Sequence, residues 1–179
     1  MQHMAPGTAH GTALILDCGD RAAIDHITLN RDRFSLLAVL FGLCAGNDLQ
    51  MIYENAPPHR VHSVDHGHFF AGPGWSVASL AGLPSAEPDQ TIVGQCHLAH
   101  AELTAAAQTL DHVTDAILAD AAKAPPADWV PQDDRLSLVE VLADRRNRLA
   151  ADLGVNMRHQ PRQRPQARRS RRRLRRSQS

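Results

Sequence analysis

The sequence predicts an α+β fold, mostly helical, with one short β-hairpin and a disordered, arginine-rich C-terminal tail. Three observations carry this expectation. Met51–Tyr53 and Arg60–Val64 read as two strands joined through Pro57-Pro58, where proline breaks no ladder bond. After Trp75 the chain shows alternating helical segments and no further strand pattern. Residues 158–179 hold ten arginines, no acid and a single leucine, so they cannot form a core.

The resulting organisation is an N-terminal connection over 1–29, partly irregular, a body over 30–153, and a basic tail over 154–179. Leu14–Leu16 reads as a short strand, and Asp20–Leu29 as a polar, partly helical connection. Asn30 suits the N-cap of the next helix, with Asp32 favourably placed in its first turn. That helix, DRFSLLAVLFGLCAG, is almost uninterruptedly apolar, and Gly46 is expected to close it in the left-handed conformation. A helix from Ser85 or Pro88 to His97, an alanine-rich helix over Ala101–Leu110, and one over Asp115–Lys123 capped by Thr114 follow, before Pro125-Pro126 interrupts. The last helix, Asp133–Leu153, places Leu136, Val139, Leu142, Leu149 and Leu153 on one face. Trp75 and Trp129 are read as helix-packing residues.

The formal charge of zero hides an asymmetry. Residues 1–157 carry nine basic and nineteen acidic residues, leaving the body near −10 and the tail near +10. An acidic body argues against a nucleic-acid-binding domain, whereas the tail suits weak contact with nucleic acid or another acidic surface. The tail lacks aromatic residues for base stacking, and the alternative is an extension without function, such as high-GC coding or a shifted reading frame produces. The body and tail could also attract each other. Cys18, Cys44 and Cys96 form no CxxC pair, which fits a reducing cytoplasm. The longest apolar stretch falls short of the roughly 20 residues that span a bilayer, and no signal-peptide pattern opens the chain, so no membrane contact is expected.

Chemistry concentrates in NDLQMIYENAPPHRVHSVDHGHFF, residues 47–70, where Asp48 and Asp65 lie at either end of the hairpin. Asp48 stands just past a helix C-terminus, facing the negative end of the dipole at a cost of roughly 0.3–1 kcal/mol when exposed. A residue that breaks a local rule in this way is often there for function. The order buried helix, loop aspartate, hairpin, second loop aspartate, with GNDLQMIY and SVDHGHFF, resembles the catalytic segment of HipA-like protein kinases. The resemblance covers residues 7–153, with the motifs confined to 30–76. It implies a protein-kinase-like C-lobe in which Asp48 orients the acceptor hydroxyl and Asp65 binds the Mg²⁺ that bridges the phosphates of ATP.

The departures are equally specific. Tyr53 stands where that family carries a second metal-binding asparagine. The 47 residues upstream of Asp48 are too few for the nucleotide-binding lobe, Gly7–Gly11 is not GxGxxG, and Lys123, the one lysine, lies far downstream. The expectation is therefore a truncated, degenerate or partner-completed kinase acting on a protein serine or threonine, with another polypeptide supplying the N-lobe. A noncatalytic binding module, pseudokinase-like or antitoxin-like, is the alternative. A third reading is a metal-dependent hydrolase with zinc or iron held by His62, His66 or His68, from the cluster of His59, His62, His66 and His68 around Asp65, of which strand alternation lets only a subset converge. Asn30–Arg33 resembles the kinase HRD sequence in letters alone, since Asp32 opens a long helix instead of a loop.

Overall fold

A computed structural model describes residues 18–19, 24–70, 72 and 74–158. Helix α1 (Ile24–Leu29) leads into α2 (Arg31–Cys44), and strands β2 (Gln50–Glu54) and β3 (Val61–Val64) form the expected hairpin. A two-residue strand, β1 (Cys18–Gly19), lies antiparallel on the other edge of β2, giving the order β1-β2-β3. The strand expected over Leu14–Leu16 lies outside the described residues. Five helices complete the body: α3 (Val77–Leu80), α4 (Gln90–Cys96), α5 (His100–Ala107), α6 (Asp115–Lys123) and α7 (Gln132–Asp152). The fold is mostly helical and α+β in class, as the sequence predicts.

Helix α2 is central because it is apolar nearly all round, which favours burial on several sides. It packs against α4, α5 and α7 through Phe34, Ala38, Val39, Phe41 and Leu43, while Ile92, Ala107 and Leu149 complete the interior. Two apolar residues, Leu36 and Leu40, stay partly exposed on its remaining side.

The start of α2 differs in part from expectation. Asn30 occupies the N-cap position as expected, its carbonyl accepting from the Phe34 amide at 2.8 Å, but its buried side chain makes no capping bond to the helix. Its carboxamide donates to the His59 carbonyl at 2.7 Å and accepts from the Val61 amide at 3.0 Å, while Arg33 donates to the Val61 carbonyl. One planar amide thus satisfies backbone groups entering β3 that the two-stranded ladder leaves unpaired, and docks the hairpin on the helix.

At its other end α2 closes on Ala45, which adopts φ 50°, instead of on Gly46. Gly46 donates to the Phe41 carbonyl and has a different reason to be glycine: a Cβ there would lie 2.5 Å from Phe41 and 2.8 Å from Phe69. Close approach of two aromatic rings excludes a side chain, so the position is decided by packing and not by backbone conformation.

Helix α4 begins after Asp89, whose carboxylate accepts from the Ile92 amide at 2.8 Å, slightly later than the Ser85 or Pro88 start expected. Thr114 caps α6 as expected. Helix α5 ends at Ala107 and continues as a 3₁₀ turn through His112.

The buried stripe of α7 is Arg135, Leu138, Leu142, Arg145, Arg146, Leu149, Ala150 and Leu153. Leu136, assigned to this face from its apolar spacing, is 55% exposed. At about 100° per residue Leu138, Leu142, Leu149 and Leu153 share one face, which Arg135, Arg145 and Arg146 extend, while Leu136 lies more than about 100° away from it. All five guanidinium N–H groups of Arg135 donate to carbonyls of residues 122, 123, 125, 126 and 130, satisfying the end of α6 and the following loop. Arg145 donates to the Gly42 and Leu43 carbonyls at the end of α2 and to Pro84. Arg146 donates to the Val113 carbonyl and pairs with Asp115 at 2.9 Å.

Trp129, expected in helix packing, is 63% exposed on the Pro125–Pro131 loop. The body also runs beyond Leu153. Gly154 takes φ 70°, Val155 returns a bond to the Ala150 carbonyl at 2.8 Å, and Val155 and Met157 pack on the core, so 154–158 belong to the body and not to the tail. The remainder of the tail lies outside the described residues. Among the described residues no helix is long and apolar enough to cross a membrane.

Arg31 and Glu102 tie α2 to α5 through two bonds of 2.6 and 2.7 Å, and Glu102 also accepts from the Ala99 amide. The Arg31 bonds and then the Ala99 bond hold the Glu102 carboxyl down to about 2, from an ordinary 4.5. A carboxylate depressed on folding stabilises above its unfolded value, and that contribution is lost as pH falls from about 4.5 toward 2. Glu102→Gln is therefore expected to be less stable than the parent at pH 7 and to converge with it near pH 2, read by thermal melts across that range. Both side chains are partly exposed, so added salt is expected to narrow the pH 7 gap. A gap independent of pH would assign the effect to packing instead.

Candidate functional site

The antiparallel register places Gln50 opposite Val64, so Asp48, two residues before Gln50, and Asp65, one residue after Val64, reach the same open end of the hairpin. The Gln50 carboxamide nitrogen donates to Asp48 Oδ2 at 2.9 Å and approaches Asp65 Oδ2 at 3.4 Å. One amide therefore touches both predicted site residues. Asp48 is half-buried and Asp65 exposed. Gln50 was not singled out from sequence; its position on the first rung of the register is the signal that could have found it.

Asp65 adopts φ 51°, a left-handed conformation that carboxylate side chains tolerate better than most. Its other oxygen accepts from the Gly67 amide at 3.4 Å and opens the 3₁₀ turn His66–His68. Behind that turn the Phe69 ring lies edge-on to Phe41 with centroids 5.0 Å apart, Phe70 contacts Phe69 and Trp75 at 6.2 Å, and the Phe70 amide donates to the Cys44 carbonyl at 2.9 Å. The loop carrying Asp65 is thus fastened to the end of α2 by aromatic edge contacts and one backbone bond. Asp48 leaves that same helix end four residues after Cys44.

The histidines disperse. His62 bonds Glu54 Oε1 across the hairpin at 3.0 Å, His66 bonds Ser63 Oγ at 3.0 Å, and His59 Nδ1 meets the Glu54 carbonyl at 3.1 Å. The His62 bond, ahead of the other causes, holds the Glu54 carboxyl below its ordinary range. Among the described residues no three of His, Cys, Asp and Glu come together as a metal site, so the zinc or iron site of the hydrolase reading has no donor set of three here. Alternation along β3 and the short turn after Asp65 send these rings to different neighbours.

Tyr53, at the family's second metal position, is buried, with its hydroxyl 3.9 Å from the Met51 sulfur, and burial pushes its pKa up. Asp32 lies exposed in the first turn of α2, a helix-start charge. Cys44 and Cys96 are free thiols; burial pushes Cys44 up to about 12 despite the nearby Arg145, which removes it as a nucleophile at neutral pH. Lys123 sits on α6, 3.5 Å from Asp120.

A cleft of about 380 Å³ opens beside this helix end, lined by Gly42, Gly46, Asn47, Pro84, Glu87, Asp89 and Arg145 among others. Asn47 borders it and precedes Asp48, which places the cleft next to the carboxylate pair. The fold and the pair define an α+β, mainly helical protein with two loop carboxylates converging at the open end of a hairpin. No family model, curated protein or solved structure matches the chain.

Proposed function

We propose that this chain is the larger-lobe part of a HipA-like serine/threonine kinase, with Asp65 as the ligand of a magnesium ion and Asp48 as the group that orients the acceptor hydroxyl. The convergence of Asp48 and Asp65 on one Gln50 carboxamide is the observation that supports it. Magnesium is ordinarily held by one or two carboxylates, with phosphate oxygens and water completing its shell, and two adjacent loop carboxylates suit that donor set. Bound there, the metal would supply charge neutralisation at the phosphates of ATP. The protein's own contribution is positional: the hairpin register fixes Asp48 relative to Asp65, and Phe41, Phe69 and Phe70 fix the Asp65 loop to α2.

The nucleotide finds less support. Lys123 lies on α6 and pairs with Asp120, so no lysine is assigned to the ATP phosphates. The reading consequently places the nucleotide-binding lobe outside residues 1–179, in a longer form of the chain or in a partner polypeptide, unless the lobe has been lost.

One observation favours the second reading, a noncatalytic pseudokinase-like or antitoxin-like binding module. The buried Tyr53 side chain offers no ligand at the second metal position. The readings separate in one calorimetric titration of the full chain with ATP and Mg²⁺, repeated on Asp65→Ala. The kinase reading expects magnesium-dependent binding that Asp65→Ala weakens at least about tenfold, or roughly 1.4 kcal/mol. Binding indifferent to Asp65→Ala favours the module, whereas absence of binding at millimolar ATP means either the module or a kinase lobe separated from its nucleotide-binding half.

A further inference from the structure

The Pro125–Pro131 loop has no place in the proposed phosphotransfer, yet it is braced with unusual completeness. Arg135 is buried in α7 and donates to Ala122, Lys123, Pro125, Pro126 and Val130 carbonyls at 2.7–3.1 Å. The Trp129 amide adds a bond to the Pro126 carbonyl at 3.1 Å. On this fixed loop Trp129 projects 63% exposed, against the ordinary tendency of tryptophan to be covered.

Its surroundings are acidic. Asp128 precedes it, and the Val130–Arg135 bond holds the loop against the first turn of α7, which carries Asp133 and Asp134. The positions of Asp133 and Asp134 are independently favourable at a helix start, so they alone indicate no ligand. An exposed indole on a segment that carries three acidic residues within five positions of it, however, is suited to guanidinium groups, which stack on tryptophan and pair with acids. The described lysine of this region, Lys123, already pairs with Asp120.

We infer that the Trp129 loop is the docking surface for the arginine-rich C-terminal segment of the same chain, residues 168–176. Charge complementarity selects this occupant: the body carries an excess of about ten negative charges, and residues 158–179 hold ten arginines and no acid. Chain length permits it. Arg158 is anchored at Asp111 by a backbone bond of 2.7 Å, near the far end of α7 from Trp129. The 21 residues of α7 span about 30 Å. For the 10–18 residues that separate Arg158 from positions 168–176, a random coil would average about 17–23 Å and a fully stretched chain about 35–60 Å. Docking therefore requires only modest extension, which mutual repulsion of the arginines favours.

The test uses the full-length chain with Trp75→Phe, leaving Trp129 as the single tryptophan donor, and a dansyl acceptor at the C-terminus. Energy transfer is expected to be high at low ionic strength, independent of protein concentration, and at least about twofold lower in 1 M salt, where the Debye length is near 3 Å. The same fall is expected in Asp128→Asn/Asp133→Asn/Asp134→Asn. A second variant leaves the body untouched and replaces the seven arginines between 168 and 176 with glutamine; it should lose transfer as well. Transfer indifferent to salt and to both sets of substitutions overturns the inference. Transfer that rises with protein concentration overturns it too, because the tail then reaches a second copy.

Discussion

Replacing Arg145 with methionine is expected to destabilise the protein by about 3–5 kcal/mol, although the side chain touches neither site aspartate. Arg145 is 6% exposed and donates at 2.6–2.8 Å to Gly42, Leu43 and Pro84. Two of those carbonyls belong to the last turn of α2, where no intrahelical donor remains and the dipole is negative. Methionine fills much of the volume but leaves buried carbonyls without a donor, at about 1–3 kcal/mol for each group left unsatisfied, with incomplete additivity. Burial works against the guanidinium and lowers its pKa, so the charge is kept for its hydrogen-bond geometry and not for any intrinsic preference for the interior. Lysine keeps the charge but not the planar fork, and Arg145→Lys should recover less than half of the loss. Arg148→Met provides the control: Arg148 is largely exposed in an i,i+4 pair with Asp144, and its loss should stay under about 0.5 kcal/mol. Urea denaturation at neutral pH measures all three; an Arg145→Met protein within about 1 kcal/mol of the parent would contradict this role.

Two glycine-to-alanine substitutions should move stability in opposite directions. Propensity alone favours alanine by about 1 kcal/mol at an interior helical glycine. At Gly94 in α4 a Cβ would meet no atom within 4 Å, so Gly94→Ala should stabilise by about 0.5–1 kcal/mol. At Gly42 in α2 the same atom would lie 2.1 Å from the Glu87 carbonyl oxygen and 2.8 Å from its carbon. Those are backbone atoms, and the Asp89 amide holds their segment to the Ala38 carbonyl at 2.9 Å. The clash, at about 3 kcal/mol or more, exceeds the propensity gain, so Gly42→Ala should lose about 2 kcal/mol net. Because Gly42 and Glu87 also line the cleft beside Asn47, the displaced segment should alter that cleft. Calorimetric melts of the pair decide the sign, and a stabilising Gly42→Ala would show that the close approach is relieved by movement.

Much of the hairpin and helix pattern was legible because it rests on local physics. Alternation and turn residues marked β2 and β3, Thr114 marked the start of α6, and Pro125-Pro126 marked its end. The joint position of Asp48 and Asp65 followed from a separation just long enough for two strands and a connection. The partial failures have one cause in common: packing against distant partners. Asn30 holds the N-cap position, but its side chain leaves the helix for His59 and Val61 once the hairpin is docked. Gly46 looks like a left-handed terminator until Phe41 and Phe69 occupy the space above it. Leu136 looks like part of a core stripe until the helix is packed on the face of Leu138, Leu142 and Leu149, which leaves it on the far side.

By itself the sequence determined the helical α+β class, the hairpin, the placement of two carboxylates at its ends and the opposition of an acidic body to a basic tail. Those follow from periodicity, capping chemistry and charge, which act over a few residues or sum over the whole chain. The tertiary structure alone decided that Gln50 joins the two carboxylates, that the histidines part company, that Ala45 and not Gly46 bends the chain, and that α7 buries arginines to complete α2 and α6. Each of these depends on a carbonyl, ring or amide brought from far along the chain, and local sequence carries no record of which partner folding will deliver.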